Sequence, residues 1–244
     1  MNIFTTMLLT PPPEADTHWI DMFASSWWFL VALILPLIAT LAVKGTFAKY
    51  NKIRTLGGRT AAQIAREMLD DNGLGHIPIV RHPGNLSDHY DPRSQTVALS
   101  ESVHDKDTIG AIAVAAHEVG HAIQHATGYA PIKIRHAIFP IVSFGSKLWI
   151  YLFLAGTFLE MMNLIWAAIA LFAFGILFQL ITLPLEIDAS RRAMNTISKQ
   201  GYLVGKEIPG ARKTLTAAAF TYLVALLASI IQLLRLVAMS RRRR

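Results

Sequence analysis

The stretch "AAHEVGHAIQH", residues 115–125, sets two histidines four positions apart with a glutamate directly after the first. On a helix His117 and His121 project from one face about one turn apart, so both imidazoles can reach a single Zn²⁺. Glu118 is rotated about 100° from His117 and flanks such an ion without being a ligand. There it can accept a proton from water activated by zinc and pass it to a leaving amine. The flanks suit a buried helix: "AIAVAA" precedes the motif, Ala122 and Ile123 follow it, and Gly120 leaves room beside the metal. Unpaired buried histidines would be costly in that setting. The helix is expected from about Asp107 to Ala126, ending before Gly128.

The rest of the chain is built for lipid. Its 244 residues are 53% hydrophobic with a mean hydropathy of +0.40, and several long uncharged runs indicate a polytopic membrane protein with one modest extramembrane domain. The net charge of +7 comes from basic residues that flank the apolar runs and end in Arg241 to Arg244. That placement suits anionic headgroups and argues against nucleic acid as a partner. With no cysteine, a metal must be held by His, Asp or Glu.

Residues 1–21 carry Glu14, Asp16 and Asp21 but no Lys or Arg, so they lack the basic start of a cleavable signal and are expected as an extracytoplasmic segment. A first span is expected over 22–43, followed by Lys44, Lys49, Lys52, Arg54 and Arg59, which places residue 44 onward in the cytoplasm. Residues 44–137 form the expected catalytic domain. Within it Thr60 and Gln63 are placed for a capping box, Gly73 for a helix stop, and "TVALS", residues 96–100, alternates like a strand. A membrane hairpin is expected over 138–185 with its turn near Glu160 to Asn163, a cytoplasmic segment over 186–214, and a last span within 215–244. Lys147 falls inside the hairpin, where it must face protein, snorkel, or belong to an interfacial helix before a shorter span.

A zinc site needs a third ligand. His125 continues the four-residue spacing, but it lies about 12 Å from His117 along a straight helix, too far to share an ion bound at about 2.0 to 2.1 Å. "LPLEIDASRRA", residues 183–193, is a better source, because two crossings return it to the face that carries His117 and His121. A helix starting near Pro184 would present Glu186, with Asp188 as the alternative and His136 and Glu160 behind them.

Three blocks, "NLSDHYDPRSQTVALSESV", "AVAAHEVGHAIQHATGYAP" and "EIDASRRA", resemble the YugP-like family of bacterial membrane zinc metallopeptidases over most of the chain. The helix, hairpin and downstream Glu are more distantly similar to HtpX-type and CAAX-prenyl-protease metallopeptidases, whose third ligand lies in a Glu-x-x-x-Asp motif. The resemblance implies His117, His121 and Glu186 as zinc ligands and Glu118 as the base. The fourth position after Glu186 is Ser190 rather than Asp, so the supporting role of that Asp falls open, with Asp188 as a replacement.

The expectation is therefore an α-helical polytopic membrane protein with about four transmembrane helices and a small α+β zincin-like domain. It would hydrolyse peptide bonds of membrane-associated or unfolded polypeptides at the cytoplasmic face. A non-catalytic metal-binding membrane protein and a transporter with histidines along its path are the competing classes. "TVALS" could be the edge to which a substrate strand adds, and His89, Tyr90, Arg191 and Arg192 are the available donors for transition-state charge. One conflict stands: four spans place Arg241 to Arg244 outside, against the positive-inside rule, so either that signal is overruled or the last segment does not fully cross.

Overall fold

Apolar runs this long cannot end in water, and each becomes one continuous helix. The structure is a computed structural model that describes residues 27–241; the segment 1–21 expected to be extracytoplasmic, the start of the expected first span and the last three arginines lie outside the described residues. Four helices are long and apolar enough to cross a membrane: α1 (Trp27–Tyr50), α4 (Ala130–Phe158), α5 (Met162–Lys199) and α6 (Glu207–Arg241). Even α1, with 24 residues, reaches about 36 Å, more than the hydrocarbon thickness of about 30 Å. Large apolar side chains such as Leu33, Leu41, Phe144 and Tyr151 stay exposed on the outside of the bundle, as contact with lipid requires.

Helix pairing decides how the last span runs. At one end of α6, Gly210 sits so close to Tyr50 that a Cβ there would lie 2.9 Å from the ring, and at the other end the Arg235 guanidinium lies 5.2 Å from the centre of the Phe29 ring. Helices α1 and α6 therefore lie antiparallel along their whole length, which favours a full crossing by α6. Lys147 is exposed on the outer surface of α4, an unbroken helix, so it neither faces protein nor belongs to a separate interfacial helix. Snorkelling is the remaining solution.

The expected helix start near Pro184 is not there. Helix α5 runs through Pro184 without a break from Met162 to Lys199. A proline inside a helix removes one backbone hydrogen bond, and packing against neighbouring helices holds the rest in place. As a result Glu186 is a buried mid-helix residue rather than a solvated helix start.

The polar part follows its local signals closely. Helix α2 (Ala61–Asp71) has the capping box, with Thr60 Oγ1 accepting from the Gln63 amide and Gln63 Oε1 accepting from the Thr60 amide, and Gly73 follows its end at φ +71°. Strands β1 (Ile79–His82), β2 (His89–Asp91) and β3 (Thr96–Ser100) form a sheet in the order β1-β3-β2, with β1 parallel and β2 antiparallel to β3. "TVALS" is thus a strand as expected but the central one, bonded on both sides, so it cannot be the edge that receives a substrate. Its position follows from its apolarity: Val97, Ala98 and Leu99 are all buried.

Helix α3 (Ile109–Ala126) starts at Thr108, whose hydroxyl accepts from the Ala111 amide, and it is buried for most of its length. The domain core joins Ile64, Met68 and Leu69 of α2, Leu99 of β3, and Ile112 and Val119 of α3 with Ala193 and Ile197 of α5. The domain is therefore not appended to the membrane helices but shares one core with their ends. Glu207 reinforces the join, accepting from the amides of Leu56 (2.7 Å) and Val204 (2.8 Å).

Candidate active site

Gly120 decides how closely α3 and α5 approach. A Cβ at that position would lie 2.8 Å from the Ala189 carbonyl oxygen, so the glycine makes room for the backbone of α5 rather than for a metal. That contact brings Glu186 and Ser190 of α5 against His117 and His121 of α3.

The resulting geometry is tight. Glu186 Oε2 lies 3.2 Å from His117 Nε2 and 3.4 Å from His121 Nε2. The ligand atoms of the three residues all lie within 4.8 Å of one another, and all three side chains are largely withdrawn from solvent. A tetrahedral zinc with bonds of about 2.05 Å has ligand-to-ligand edges of about 3.3 Å, so the two measured separations match two such edges.

The far side of each imidazole is also committed. Gln124 Nε2 donates to the Leu185 carbonyl (2.9 Å) and to Asp188 Oδ2 (2.8 Å), which leaves Gln124 Oε1 as the acceptor facing His121 Nδ1 at 2.9 Å. His121 therefore carries its proton on Nδ1. Ser190 Oγ lies 3.1 Å from His117 Nδ1 in the corresponding place. His121 Nε2 then presents a lone pair, and with Ser190 Oγ accepting from His117 Nδ1 the Nε2 of His117 does the same, the two converging on a carboxylate oxygen. Three acceptors facing one another in a buried site are a donor set suited to a cation. Burial disfavours a charged His121, yet the adjoining Glu186 outweighs it and raises the pKa of the ring, which expresses the same demand.

Glu118 lies outside this trio and lines the cleft beside it. Burial pushes its carboxyl above the ordinary range, opposed by the neighbouring histidines. A carboxyl of raised pKa is suited to proton transfer near neutrality.

The remaining sequence candidates separate clearly. Asp188 is not among the three converging groups; it accepts from Gln124 and from Arg192 Nε at 2.6 Å, and so supports the site from behind. Ser190, where the distantly similar families carry an Asp, sits on His117, so the replacement expected from Asp188 is shared between two residues. His125 is bound to the Tyr90 hydroxyl at 2.8 Å and ties α3 to β2. His136 faces the cleft without joining the trio, and Glu160 lies in the α4–α5 turn. His89 and Tyr90 line the cleft, whereas Arg192 is engaged with Asp188 and Arg191 lines a groove between α5 and α6.

Sequence reading missed Gln124, Arg135, Asp88 and Tyr222. Gln124 stands three residues after His121 and was open to the same helical argument that joined the histidines. Asp88 is fixed by the Ser100 amide (2.6 Å) and hydroxyl (2.9 Å), a contact between a loop and a strand with no spacing signal. Arg135 comes from the start of α4 and Tyr222 from α6, and both reach the cleft only through helix packing.

Comparison with known proteins agrees with this construction. Residues 25–241 match the family described as "Putative neutral zinc metallopeptidase". The chain is 47% identical over 208 residues to "Putative membrane protease YugP" of Bacillus subtilis (strain 168), covering 85% of this chain and 92% of that protein. No solved structure gives a significant match. A match across nearly the whole described chain, membrane helices and cleft together, leaves one conclusion: the chain belongs to this neutral zinc metallopeptidase family.

Proposed function

We propose that the protein is an integral-membrane zinc endopeptidase whose site faces the cytoplasm and whose substrates are membrane-associated or unfolded polypeptides. His117, His121 and Glu186 hold the ion, and Glu118 is the general base. The observation that carries this reading is the convergence of two imidazole Nε2 atoms on Glu186 Oε2 at 3.2 and 3.4 Å, with both Nδ1 atoms already engaged.

Zinc, when bound, supplies Lewis acidity that acidifies water and polarises a peptide carbonyl. The chain supplies everything else. Gln124 and Ser190 hold the two imidazoles in the orientation that leaves Nε2 bare, and the Leu185 carbonyl and Asp188 hold Gln124. Glu118 takes the proton of the attacking water and delivers it to the leaving nitrogen. Tyr222, Tyr90, His89 and Arg135 line the same space, where their donors can face charge that develops on the carbonyl oxygen. Lys44 and Lys49 in the last turns of α1, Lys52, Arg54 and Arg59 just after it, and Arg191, Arg192, Lys199 and Lys206 around the end of α5 support a cytoplasmic orientation.

The test uses detergent-purified wild type and Glu118→Gln, with zinc content and cleavage of fluorescence-quenched casein measured on both. One equivalent of zinc in each, with cleavage lower by about 10²- to 10⁴-fold in the variant, is expected from loss of a general base. Zinc in both with no cleavage by wild type would instead indicate a non-catalytic metal site.

A further inference from the structure

The cleft has two mouths of opposite character. Asp88, His117, Glu118, Glu186 and Tyr222 line two adjoining cavities of about 210 and 250 Å³, so the reacting centre is approached from two sides. Apart from these shared residues the first mouth carries no charged side chain; Val43 and Phe47 of α1, Val114 of α3, and Leu215 and Ala218 of α6 give it its character. Through Ser190, Leu215 and Ala219 it continues into a largely apolar groove between α5 and α6, walled by Leu183, Ile187, Phe220 and Leu223, with Arg191 and Arg212 also on its lining. Both of those helices are long and apolar enough to span the bilayer, so the apolar mouth opens where a membrane segment can enter.

The second mouth is polar. Its own residues include His89, Tyr90, Arg135 and His136, and no carboxylate beyond the shared ones. Arg135 lies 4.0 Å from Glu186, and a cation at the trio would absorb the charge of that carboxylate, leaving Arg135 as the positive group of this mouth.

We infer that the cleft selects a membrane-anchored polypeptide at a junction, with apolar residues on the bilayer side of the scissile bond in the first mouth and an acidic residue on the other side at Arg135. The inference rests on the peptidase reading and adds a substrate class to it. Charge complementarity at Arg135 and continuity of the apolar mouth with the α5–α6 groove are the two observations that make the cleft asymmetric.

The test uses zinc-loaded, detergent-purified protein and quenched peptides of equal length around one central dipeptide. Their flanks are apolar then acidic, acidic then apolar, apolar on both sides, acidic on both sides, and apolar paired with basic in each order. One of the two apolar–acidic orders is expected to exceed all others in kcat/KM by about tenfold, the discrimination typical of one hydrogen bond to a charged group. Arg135→Gln should erase most of the difference between acidic and basic flanks through KM, with zinc content retained. Val43→Trp, which fills the apolar mouth, should raise KM for the favoured peptide. Equal kcat/KM across the peptides, or an unchanged flank preference in Arg135→Gln, overturns the inference. So does competitive inhibition by added phospholipid with no effect of the apolar flank, which would make that mouth a lipid site. Casein cleavage without flank preference defeats this inference alone, whereas a zinc-loaded wild type that cleaves neither casein nor any peptide defeats the peptidase reading with it.

Discussion

Gln124 is the residue whose role is most sharply defined by its bonds. It donates twice to α5 and accepts from His121, so its amide can adopt only one orientation, and that orientation fixes the histidine's tautomer. Supports of this kind are worth about 10- to 100-fold in metal affinity. Gln124→Ala should therefore weaken zinc binding by about that factor in a chelator competition, and Gln124→Glu, which keeps the acceptor but loses both donors and sets a carboxylate against Asp188 and the Leu185 carbonyl, should not recover it. Glu118 yields a prediction in pH. As the proposed base it works only when ionised, and burial raises its pKa, so activity should be complete above that pKa and fall as pH drops through it. The acidic limb of kcat/KM should lie above the ordinary Glu value of about 4.3, with zinc content measured at each pH to show that the ion is still bound. The pairing of His117 with His121 in the candidate site was legible in the sequence, because helical spacing alone puts the two on one face with Glu118 beside them. The choice of Glu186 over Asp188 was not a spacing problem. The two stand two residues apart on α5 and so point about 200° apart, and only the rotation of that helix against α3 shows which one meets the histidines.

At the level of elements, the contact between Gly120 and Ala189 governs the site. A Cβ at 2.8 Å from a backbone oxygen cannot be accommodated by a rotamer change, so Gly120→Ala must push α5 away from α3. The expected cost is about 1–3 kcal/mol of stability together with weaker zinc binding, because Glu186 and Ser190 move with the helix. Thermal melts with and without chelator would separate the two effects. Wild-type stability with undiminished zinc affinity would show that the contact does not set the site. Helix and strand signals were reliable wherever they were local: the Thr60–Gln63 capping box and the strand at residues 96–100 both form where the residues place them. The order of strands was not local. Which strand is central depends on the faces covered by α2 and α3, so "TVALS" was recognisable as a strand but its two partners were not. Pro184 misled for a related reason. In a short soluble helix a proline ends the element, whereas α5 is held on several sides along its length and continues.

For the whole molecule, the antiparallel pairing of α1 with α6 and of α4 with α5 puts the domain, the two histidines and Glu186 at one end of the bundle and the turn at Glu160 at the other. The chain has no cysteine, so single cysteines report topology cleanly. Ser102→Cys should react with a membrane-impermeant thiol reagent only after cells are opened, and Glu160→Cys should react in intact cells. The reverse pattern would place the site outside. Hydropathy made the number of spans and the position of the hairpin turn readable. The sharing of one core by the domain and the ends of α5 and α6 was hidden, since Ala193, Ile197 and Leu215 look like ordinary residues of a loop-flanked helix until they meet α2 and α3.

The most direct measurement is zinc K-edge absorption on the purified protein, wild type beside Glu186→Ala. One equivalent of zinc with nitrogen and oxygen donors at about 2.0 to 2.2 Å, including two imidazoles, is expected in wild type, with zinc lost or its coordination changed in the variant. A wild type without zinc, or an identical spectrum and stoichiometry in Glu186→Ala, would contradict a site built from His117, His121 and Glu186.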